Sequence, residues 1–394
     1  MEAKSKKDRN VPNLRFAGFQ NEWEEKKLQD IAKFFSGGTP QTTIKEYYDG
    51  TIPFIRSGEI NSNTTELLIS EKGLKNSSAK LVNKGDLLIA LYGATSGEIA
   101  ISKICGAINQ AILCIDTQEN KKFLKGIWLK HTDKILQNYL QGGQGNLSAD
   151  IVKRLKFHFP TIPEQNKIAD FLSLLDLRIS TQSQIIDNLQ SLIKTTCKVY
   201  HKSVEKNEYT IADLGRSFRA MNLSKEDLST EGEKCILYGE LFTTYDCVID
   251  KVVSFTNNNS SQKTLSGEND LLFPASTTVD ALSLISTSAI SIKNIILGGD
   301  MFGISLHKNN NNEYLSYVIN YVYKRDFAKY AQGSTIIHLH YNDIKNVKIM
   351  LPSLKAQAFL ADLMRLLRNK IKNEQKLLSA YQKQKKYLLS NMFI

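Results

Sequence analysis

Apolar residues recur every three or four positions along two stretches of the chain, residues 161–204 and 353–394. This spacing places them along one side of an α-helix, in the seven-residue pattern that is typical of a coiled coil. Each stripe has its first polar position at the same place, Gln182 in the first stretch and Glu374 in the second, where a polar residue can fix the register of two packed helices. The apolar positions are Ile168, Leu172, Leu175, Ile179, Ile186, Leu189, Ile193 and Tyr200, and then Leu360, Met364, Leu367, Ile371, Leu378, Tyr381, Leu388 and Met392.

We therefore predict two long helices that pack along each other. A continuous helix over residues 164–201 is about 57 Å long at a rise of 1.5 Å per residue. The alternative is that the two helices pack separately in two cores, because surface helices of globular proteins carry similar stripes.

The two stretches are copies of one another, 192 residues apart, which indicates an internal duplication. Hydroxyl residues, Thr161 and Ser353, stand where each helix begins and are suited to cap it, and Glu164 completes a Thr-x-x-Glu capping box in the first copy. The matching residues include Gln165 and Gln357, Ala169 and Ala361, and Asp170 and Asp362.

The duplication extends beyond the helices. Short β-type runs, separated by Gly, Asn and Ser, precede each helix, and part of residues 11–32 recurs in residues 209–215. The chain therefore divides into a first globular domain with its N-terminal tail and anchor (1–160), a central helix (161–204), a second globular domain (205–352) and a C-terminal helix (353–394). Neither globule shows the regular strand–helix alternation of a doubly wound sheet, which favours an α+β fold in both.

The formal net charge of +11 favours a polyanionic partner such as nucleic acid. The excess lies in the first globule and the last helix, whereas residues 207–352 contain 13 basic and 16 acidic side chains, a net charge of −3. A nucleic-acid surface on the second globule therefore requires a local cluster such as Arg216, Arg219 and Lys225. No apolar run is long enough to span a membrane and the charged start lacks a signal-peptide core, so we expect a cytoplasmic protein.

The sequence lacks the common motifs that hold a nucleotide or a methyl donor. It contains no Pro-Pro, no Gly-x-x-x-x-Gly-Lys-Ser/Thr loop and no Gly-x-Gly-x-x-Gly after a predicted strand. His338 and His340 would face one side of a strand, but no third metal ligand lies nearby in the sequence, so a strand or DNA-contact role is favoured over a metal site. We therefore expect recognition through loops rich in Ser, Thr, Asn, Gln and Gly, whose side chains suit phosphates and base edges.

Several segments together resemble the specificity subunits of type I restriction–modification systems, across nearly the whole chain. They are NLRFAGFQNEWEEKKLQDIA, IPFIRSGEI, KGDLLIALYGAT, INQAI and above all LKFHFPTIPEQNKIADFLSLLD. The second copy departs from the Pro-Glu-Gln junction of the first, with Lys355-Ala356-Gln357 in its place.

The resemblance implies two target recognition domains, each reading one half of a split, asymmetric site on double-stranded DNA. It implies that the two helices pack antiparallel as a spacer and as the dock for two methyltransferase (modification) subunits, with restriction/translocase subunits joining through the complex. It also implies that this subunit is not an enzyme and carries no cofactor. S-adenosylmethionine, ATP and Mg would be used by the partner subunits.

Candidate residues come from the polar loops and from the faces of the two helices that lie outside the apolar stripes. For DNA binding we single out Ser36, Thr39, Arg56, Ser57, Tyr92, Thr95, Ser96, Gln144, Asn146, Arg216, Arg219, Tyr238, Ser276, Thr277, His338 and His340. For the spacer and the partner interface we single out Phe171, Gln182, Ile185, Leu192, Leu363, Glu374 and Leu377.

Two other classes of function stay open at this point. One is a paired coiled-coil scaffold whose globules bind proteins rather than DNA, and the other is a self-contained methyltransferase or nuclease. Steep weakening of DNA binding with rising salt distinguishes the DNA reader from the scaffold, and cofactor binding by the isolated chain identifies an enzyme.

Overall fold

The computed structural model of the chain describes residues 10–140, 147–258 and 262–394. The chain forms two compact units. Unit 1 comprises the described residues up to Ser183 together with Lys376–Ile394, and unit 2 comprises Gln184–Gln375. The boundaries fall inside the two long helices, one residue after Gln182 and one residue after Glu374, so each unit contains one globule and a part of both helices.

The globule of unit 1 is built on two four-stranded sheets and a two-stranded ribbon. The sheet orders are β2-β9-β6-β7 and β4-β3-β8-β5, and the ribbon pairs β1 with β10. The strands are β1 (Glu24–Lys27), β2 (Ala32–Ser36), β3 (Ile52–Ile55), β4 (Leu67–Ile69), β5 (Lys80–Val82), β6 (Leu87–Ala90), β7 (Ile99–Ile101), β8 (Gly106–Ile108), β9 (Ile112–Thr117) and β10 (Lys156–Phe159).

Unit 1 also contains the helices that precede the central helix and the first part of the central helix itself. They are α1 (Leu28–Ile31), α2 (Glu71–Lys75), α3 (Lys121–Leu140), α4 (Ala149–Arg154) and α5 (Ile162–Ser203). Strand β6 is buried on both faces, as a run of four apolar residues predicts. The core around it brings together Leu87 and Ile89 of the strand with Phe123 and Trp128 of α3.

The globule of unit 2 repeats this plan with a wider central sheet. A five-stranded sheet (β12-β21-β17-β19-β15) and a four-stranded sheet (β13-β16-β14-β20) are accompanied by two ribbons, β11-β23 and β18-β22. The strands are β11 (Asn207–Thr210), β12 (Gly215–Arg219), β13 (Leu228–Ser229), β14 (Glu233–Leu237), β15 (Val248–Ile249), β16 (Ser254–Thr256), β17 (Asp270–Pro274), β18 (Ser276–Thr277), β19 (Ser288–Ile290), β20 (Ile296–Gly298), β21 (Met301–Leu306), β22 (Ile337–His338) and β23 (Lys348–Leu351).

The helices of unit 2 are short apart from the last. They are α6 (Glu240–Thr243), α7 (Ala281–Leu284), α8 (Asn312–Tyr321), α9 (Lys324–Ala328), α10 (Tyr341–Ile344) and α11 (Leu354–Met392). The two long helices, α5 and α11, confirm the prediction from the apolar stripes, and the mixed fold of both globules is confirmed as well. Among the helices of the described ranges, none combines the length and the apolar character that crossing a membrane requires.

In each unit the parts of α5 and α11 lie antiparallel. In unit 1 Lys385 pairs with Asp176 at 2.6 Å, and the guanidinium of Arg178 lies 5.7 Å from the ring centre of Tyr381. In unit 2 the hydroxyl of Tyr200 donates to the carbonyl of Ala356 at 2.9 Å. The predicted stripe is the buried side of both helices, including its polar positions, since Gln182 is 6% and Glu374 8% exposed.

A buried glutamine fixes the start of each long helix. Gln165 donates to the carbonyl of Pro160 (2.9 Å) and accepts from the backbone N–H of Asn120 (3.0 Å), the residue just before α3. Gln357 makes the same two bonds in unit 2, to the carbonyl of Pro352 (3.0 Å) and from the N–H of Asn311 (2.9 Å) before α8. We call this arrangement the glutamine clamp. It ties the end of a strand, a long helix and a globule helix at one point in both copies.

Glu164 does not form the capping box that was predicted for the first long helix. Its carboxylate instead accepts two bonds from the guanidinium of Arg15, both at 2.7 Å, which fastens the anchor segment to the helix. A bidentate guanidinium–carboxylate pair is a strong charge-assisted contact. In the second copy the predicted cap is present, because the hydroxyl of Ser353 accepts from the N–H of Ala356 at 3.4 Å.

Residues at the far end of α11 complete the core of unit 1. Phe393 is buried, and its ring centre lies 5.2 Å from that of Phe123 and 6.5 Å from that of Trp23. His131 contacts the carbonyl of Ile394 at 2.8 Å. The N–H of Leu14 donates to the carbonyl of Asn391 at 2.9 Å, so the anchor segment and this helix end meet on the same globule.

The corresponding position in unit 2 is occupied by the end of α5. His201 is buried there, with Nδ1 2.8 Å from the hydroxyl of Tyr314 and Nε2 3.1 Å from that of Tyr323. Burial lowers the pKa of His201 to about 4, so the ring is neutral at neutral pH. The end of each long helix is therefore held by aromatic side chains of the globule against which it packs.

We expect Gln357→Ala to lower the free energy of unfolding by about 1–3 kcal/mol, because it leaves the Asn311 N–H and the Pro352 carbonyl buried without partners. Urea unfolding followed by circular dichroism measures this change. Gln375→Ala is the matched control, since Gln375 is exposed on the same helix, and we expect it to change the free energy by less than about 0.5 kcal/mol. Equal effects of the two substitutions would show that the clamp does not stabilise the fold.

Candidate nucleic-acid interface

Several strands of unit 1 end at one place, around the turn that joins β8 to β9. Strands β2 and β6 both run antiparallel to β9 and end beside its start, and β3 runs parallel to β8. The N–H of Gly37 donates to the carbonyl of Asn109 at 3.3 Å, and the N–H of Leu91 to that of Ala111 at 2.8 Å. The loops that follow these strands therefore form one surface, which we call the first loop surface.

Seven of the predicted residues lie on or beside the first loop surface. They are Ser36 at the end of β2 and Thr39 after it, Arg56 and Ser57 after β3, and Tyr92, Thr95 and Ser96 after β6. Gln144 and Asn146 lie outside the described residues. The N–H of the next described residue, Leu147, donates to the carbonyl of Leu91 at 2.8 Å.

Close approach of the backbones at this surface depends on a glycine. A Cβ atom on Gly37 would lie 1.7 Å from the carbonyl oxygen of Ile108. That is far inside the contact distance of two atoms, so any side chain here would push β2 away from the end of β8.

The side chains of the first loop surface offer a fixed set of donors and acceptors. The hydroxyl of Thr39 donates to Oε1 of Gln110 at 2.7 Å. This bond orients the Gln110 carboxamide through its oxygen and does not use its N–H groups. The hydroxyl of Ser96 donates to the carbonyl of Leu91 at 2.9 Å. Gln110 is exposed and was not among the predicted residues, although it lies in the INQAI segment. Its position next to Thr39 arises from strand pairing across 71 residues.

Arg56 lies on the first loop surface, and neighbouring carboxylates pair with its guanidinium. Its guanidinium donates to Glu59 at 3.0 and 3.2 Å and also to Glu66. These two carboxylates raise the pKa of Arg56 still further above its ordinary value. The side chain therefore fixes the loop between β3 and β4 and presents less free charge than the sequence suggests.

The globule of unit 2 forms an equivalent surface, the second loop surface, around the turn from β20 to β21. Two backbone bonds match those of unit 1: Ala275 N–H to Asp300 carbonyl at 2.8 Å corresponds to the bond from Leu91 to Ala111, and Leu339 N–H to Ala275 carbonyl at 2.9 Å corresponds to the bond from Leu147 to Leu91. The N–H of Tyr238 also donates to the carbonyl of Gly298 at 3.1 Å. The strand ends that meet here carry the predicted residues Arg219, Tyr238, Ser276, Thr277 and His338, with His340 next to them.

One of these side chains, His338, faces an acidic residue that the sequence did not single out. The rings of His338 and His340 stack with their centres 6.0 Å apart, and Nδ1 of His338 lies 4.0 Å from a carboxylate oxygen of Asp300. Across the described ranges, no group of three or more His, Cys, Asp or Glu side chains is placed to hold a metal ion. The loop surface therefore carries two stacked imidazoles, an exposed one on His340 and a half-buried one on His338 that lies beside the Asp300 carboxylate.

Arg216 lies apart from the other predicted residues. It pairs with Ser305 near the start of β12, whereas the second loop surface lies at the other end of that strand, where Arg219 pairs with Phe302. Three residues of extended strand separate Arg216 from Arg219 by about 10 Å, so only Arg219 of the two lies on the second loop surface, and a shared role in DNA binding stays a prediction.

The predicted partner-interface residues lie on the long helices with unequal exposure. In unit 1, Phe171 is 37% exposed and packs edge-on against Phe16 at 5.6 Å, and Leu377 is 39% exposed. In unit 2, Ile185 and Leu192 are exposed and Leu363 is half-buried. The most exposed leucines of α5, Leu174 and Leu177 at 65% and 63%, were not predicted. They line a groove in unit 1 with Phe171, Arg178 and Tyr381.

Comparisons with known proteins agree with this architecture. The specificity subunit of the type I restriction enzyme MjaVIII of Methanocaldococcus jannaschii is 21% identical over 422 residues, which cover 98% of this chain and 95% of that protein. The corresponding subunit of EcoR124I/EcoR124II from Escherichia coli is 26% identical over 168 residues, 40% of this chain and 42% of that protein.

The fold of this chain is also similar to that of a solved structure. The crystal structure of a type I restriction–modification S subunit from M. genitalium matches 98% of this chain and 99% of its own length, with a TM-score of 0.60 and 15% identity. The family model of the type I restriction modification DNA specificity domain matches residues 20–191 and again residues 203–380. Since these two matches span both copies of the repeat, the chain belongs to the family of type I restriction modification DNA specificity domains.

Proposed function

We propose that the chain is the DNA-recognition subunit of a type I restriction–modification complex and that it reads a bipartite, asymmetric site. Each loop surface would read one half of the site on double-stranded DNA. The observation that carries this proposal is the pair of equivalent loop surfaces, which share their strand pairing and two backbone bonds in two copies of one fold. Two readers on one chain account for a site in two parts.

Side chains at matched positions of the two surfaces differ, which supports an asymmetric site. The strand pairings match Ser36 with Arg219, Ser57 with Tyr238, Tyr92 with Ser276 and Gln110 with Gly299. A carboxamide suits adenine and a guanidinium suits guanine in the major groove. At the last of these positions unit 2 has no side chain at all, and Gly299 adopts a φ of +86° that favours glycine.

The long helices would hold the two readers at a set spacing and bind two methyltransferase subunits. Exposed apolar side chains on α5 and α11 support the second role, because clusters of this kind on a protein surface mark interfaces. Methyl transfer, ATP-driven translocation and cleavage would belong to the partner subunits, which would use S-adenosylmethionine, ATP and Mg. In this proposal the chain works in the cytoplasm, where foreign DNA is met.

We expect Gln110→Ala to relax recognition at a single base of one half-site and to leave the other half-site unchanged. One well-formed contact to a base edge contributes about 1–3 kcal/mol of discrimination. Methylation mapping in cells that contain the variant with its methyltransferase subunits gives the recognised motif. Gln118→Ala is the control, because Gln118 is exposed on the same globule just beyond the opposite end of β9. Changes in both half-sites would contradict the two-reader proposal.

The spacer role predicts a change in the gap between the half-sites. Seven residues inserted after Gln182 and seven after Glu374 preserve the apolar seam and lengthen each helix by about 10 Å. We expect both half-sites to stay the same and the unread gap to grow by at most about three base pairs, at 3.4 Å each. Methylation mapping reports the gap directly. An active variant with an unchanged gap would show that the helices do not set it.

The docking role predicts that a charge on an exposed helix position weakens assembly. We expect Ile185→Asp and Leu377→Asp each to reduce co-purification of the methyltransferase subunit at least about tenfold, because a buried unpaired carboxylate costs more than 1.4 kcal/mol. Leu174→Asp and Leu177→Asp test the groove beside Phe171 in the same way. Lys383→Asp, an exposed helix position without an apolar side chain, is the control. Full assembly of all four apolar variants would count against docking on these helices.

A further inference from the structure

A groove in unit 2 is lined by four basic side chains from two elements. Lys194 and Lys198 come from α5, and Lys324 and Arg325 come from the start of α9, with Leu282 of α7 at its side. Within the described ranges none of the four basic side chains forms an ion pair. The sequence had pointed to Arg216, Arg219 and Lys225 for the positive surface of this net-acidic globule, and none of those three residues lines the groove.

Acidic side chains near the groove are already engaged. Asp280 caps α7, accepting from the N–H of Ser283 at 2.7 Å and from its hydroxyl at 2.9 Å. Asp326 binds Lys329 at 2.7 Å. Asp250 is bound by Arg368 at 3.0 Å and by Lys372. Hydrogen bonds from Ser283 are the main cause that lowers the pKa of Asp280, and the nearby charge of Lys324 is a smaller one, so the basic groups of the groove can still take up an external anion.

The arrangement opposes folding slightly in the absence of such an anion. Lys194 and Lys198 are four residues apart on α5, so their side chains share one face of the helix. Like charges at this spacing destabilise a helix by a few tenths of a kcal/mol, and the two charges on α9 add to the repulsion. A polyanion in the groove would convert this repulsion into attraction.

The groove is continuous with the second loop surface. Helix α7 packs against α9 on one side and against β18 and β22 on the other. Those two strands carry Ser276, Thr277 and His338 of the second loop surface. A strip of the unit 2 surface therefore leads from the proposed base-reading loops over α7 to the basic groove on α5.

We infer that this groove binds the phosphate backbone of the DNA that runs on from the half-site read by the second loop surface. The inference rests on the proposed function and adds to it a contact that fixes position without reading sequence, as phosphate contacts do. It also adds four cations to a proposed interface on the net-acidic second globule where, of the predicted cluster, only Arg219 lies on the loop surface. The contact would be made by the helix that joins the two copies, so it would bind DNA of any sequence.

The test compares two doubly substituted full-length chains with equal loss of charge. Lys194→Gln/Lys198→Gln removes two cations from the groove, and Lys293→Gln/Lys308→Gln removes two exposed cations near the opposite ends of β20 and β21. Binding to a duplex that contains the mapped site is measured as a function of salt. We expect the slope of log Kobs against log salt to become less negative by about 2 for the groove variant alone, since each phosphate contact contributes about 0.9.

Two further readouts separate the possible outcomes. The methylated motif of the groove variant should be unchanged, and replacing the unread phosphates beside the second half-site by neutral methylphosphonates should weaken the wild-type chain more than the variant, which keeps only Lys324 and Arg325 in the groove. An unchanged salt slope in the variant, with the wild-type chain still preferring its site, would overturn the groove and leave the proposed function standing. Loss of methyltransferase co-purification with an unchanged slope would overturn it too, in favour of a protein dock. Absence of any site preference in the wild-type chain would instead overturn the proposed function.

Discussion

The glutamine clamp is the interaction on which the arrangement of each globule on its helices depends. A single buried carboxamide satisfies the carbonyl that ends a strand and the N–H that begins a globule helix, while its own backbone lies in the first turn of a long helix. Three elements with different directions are thereby fixed at one point. An amide suits this position because it donates and accepts at once, whereas a carboxylate only accepts and an ammonium only donates. The same geometry in both copies shows that the clamp was kept while the residues around it changed.

The two copies share the glutamine clamp but differ in the side chains of their exposed loops. The ends of the central strands carry a threonine–carboxamide pair in one globule, and imidazoles beside a carboxylate in the other. Two of the backbone bonds that position these loops are nevertheless the same. Loops on a rigid scaffold can change their side chains without disturbing the core, so one fold serves for two different recognition tasks in a single chain.

The sequence predicted the parts of the structure that depend on local periodicity. The helical stripes, the matching glutamines and the paired β-type runs all follow from spacing along the chain. What it could not predict depends on long-range pairing. Gln110 is a candidate only because strand pairing places it beside Thr39. The guanidinium charge of Arg56 is matched by Glu59 and Glu66, which the fold brings next to it. Arg216 and Arg219 are close in sequence but belong to different parts of one strand. The exposed Leu174 and Leu177 fall between the positions of the buried stripe and have no periodic signal of their own.

The docking of Phe393 against Phe123 and Trp23 has a consequence for the order in which the protein folds during synthesis. Unit 2 consists of residues 184–375 without interruption, so all of its contacts are available once residue 375 has left the ribosome. The first globule is made much earlier, but its core lacks an aromatic ring until residue 393 is complete. Contacts between residues so far apart in the chain form slowly, because a long loop must close first. The globule that is translated first is therefore completed last.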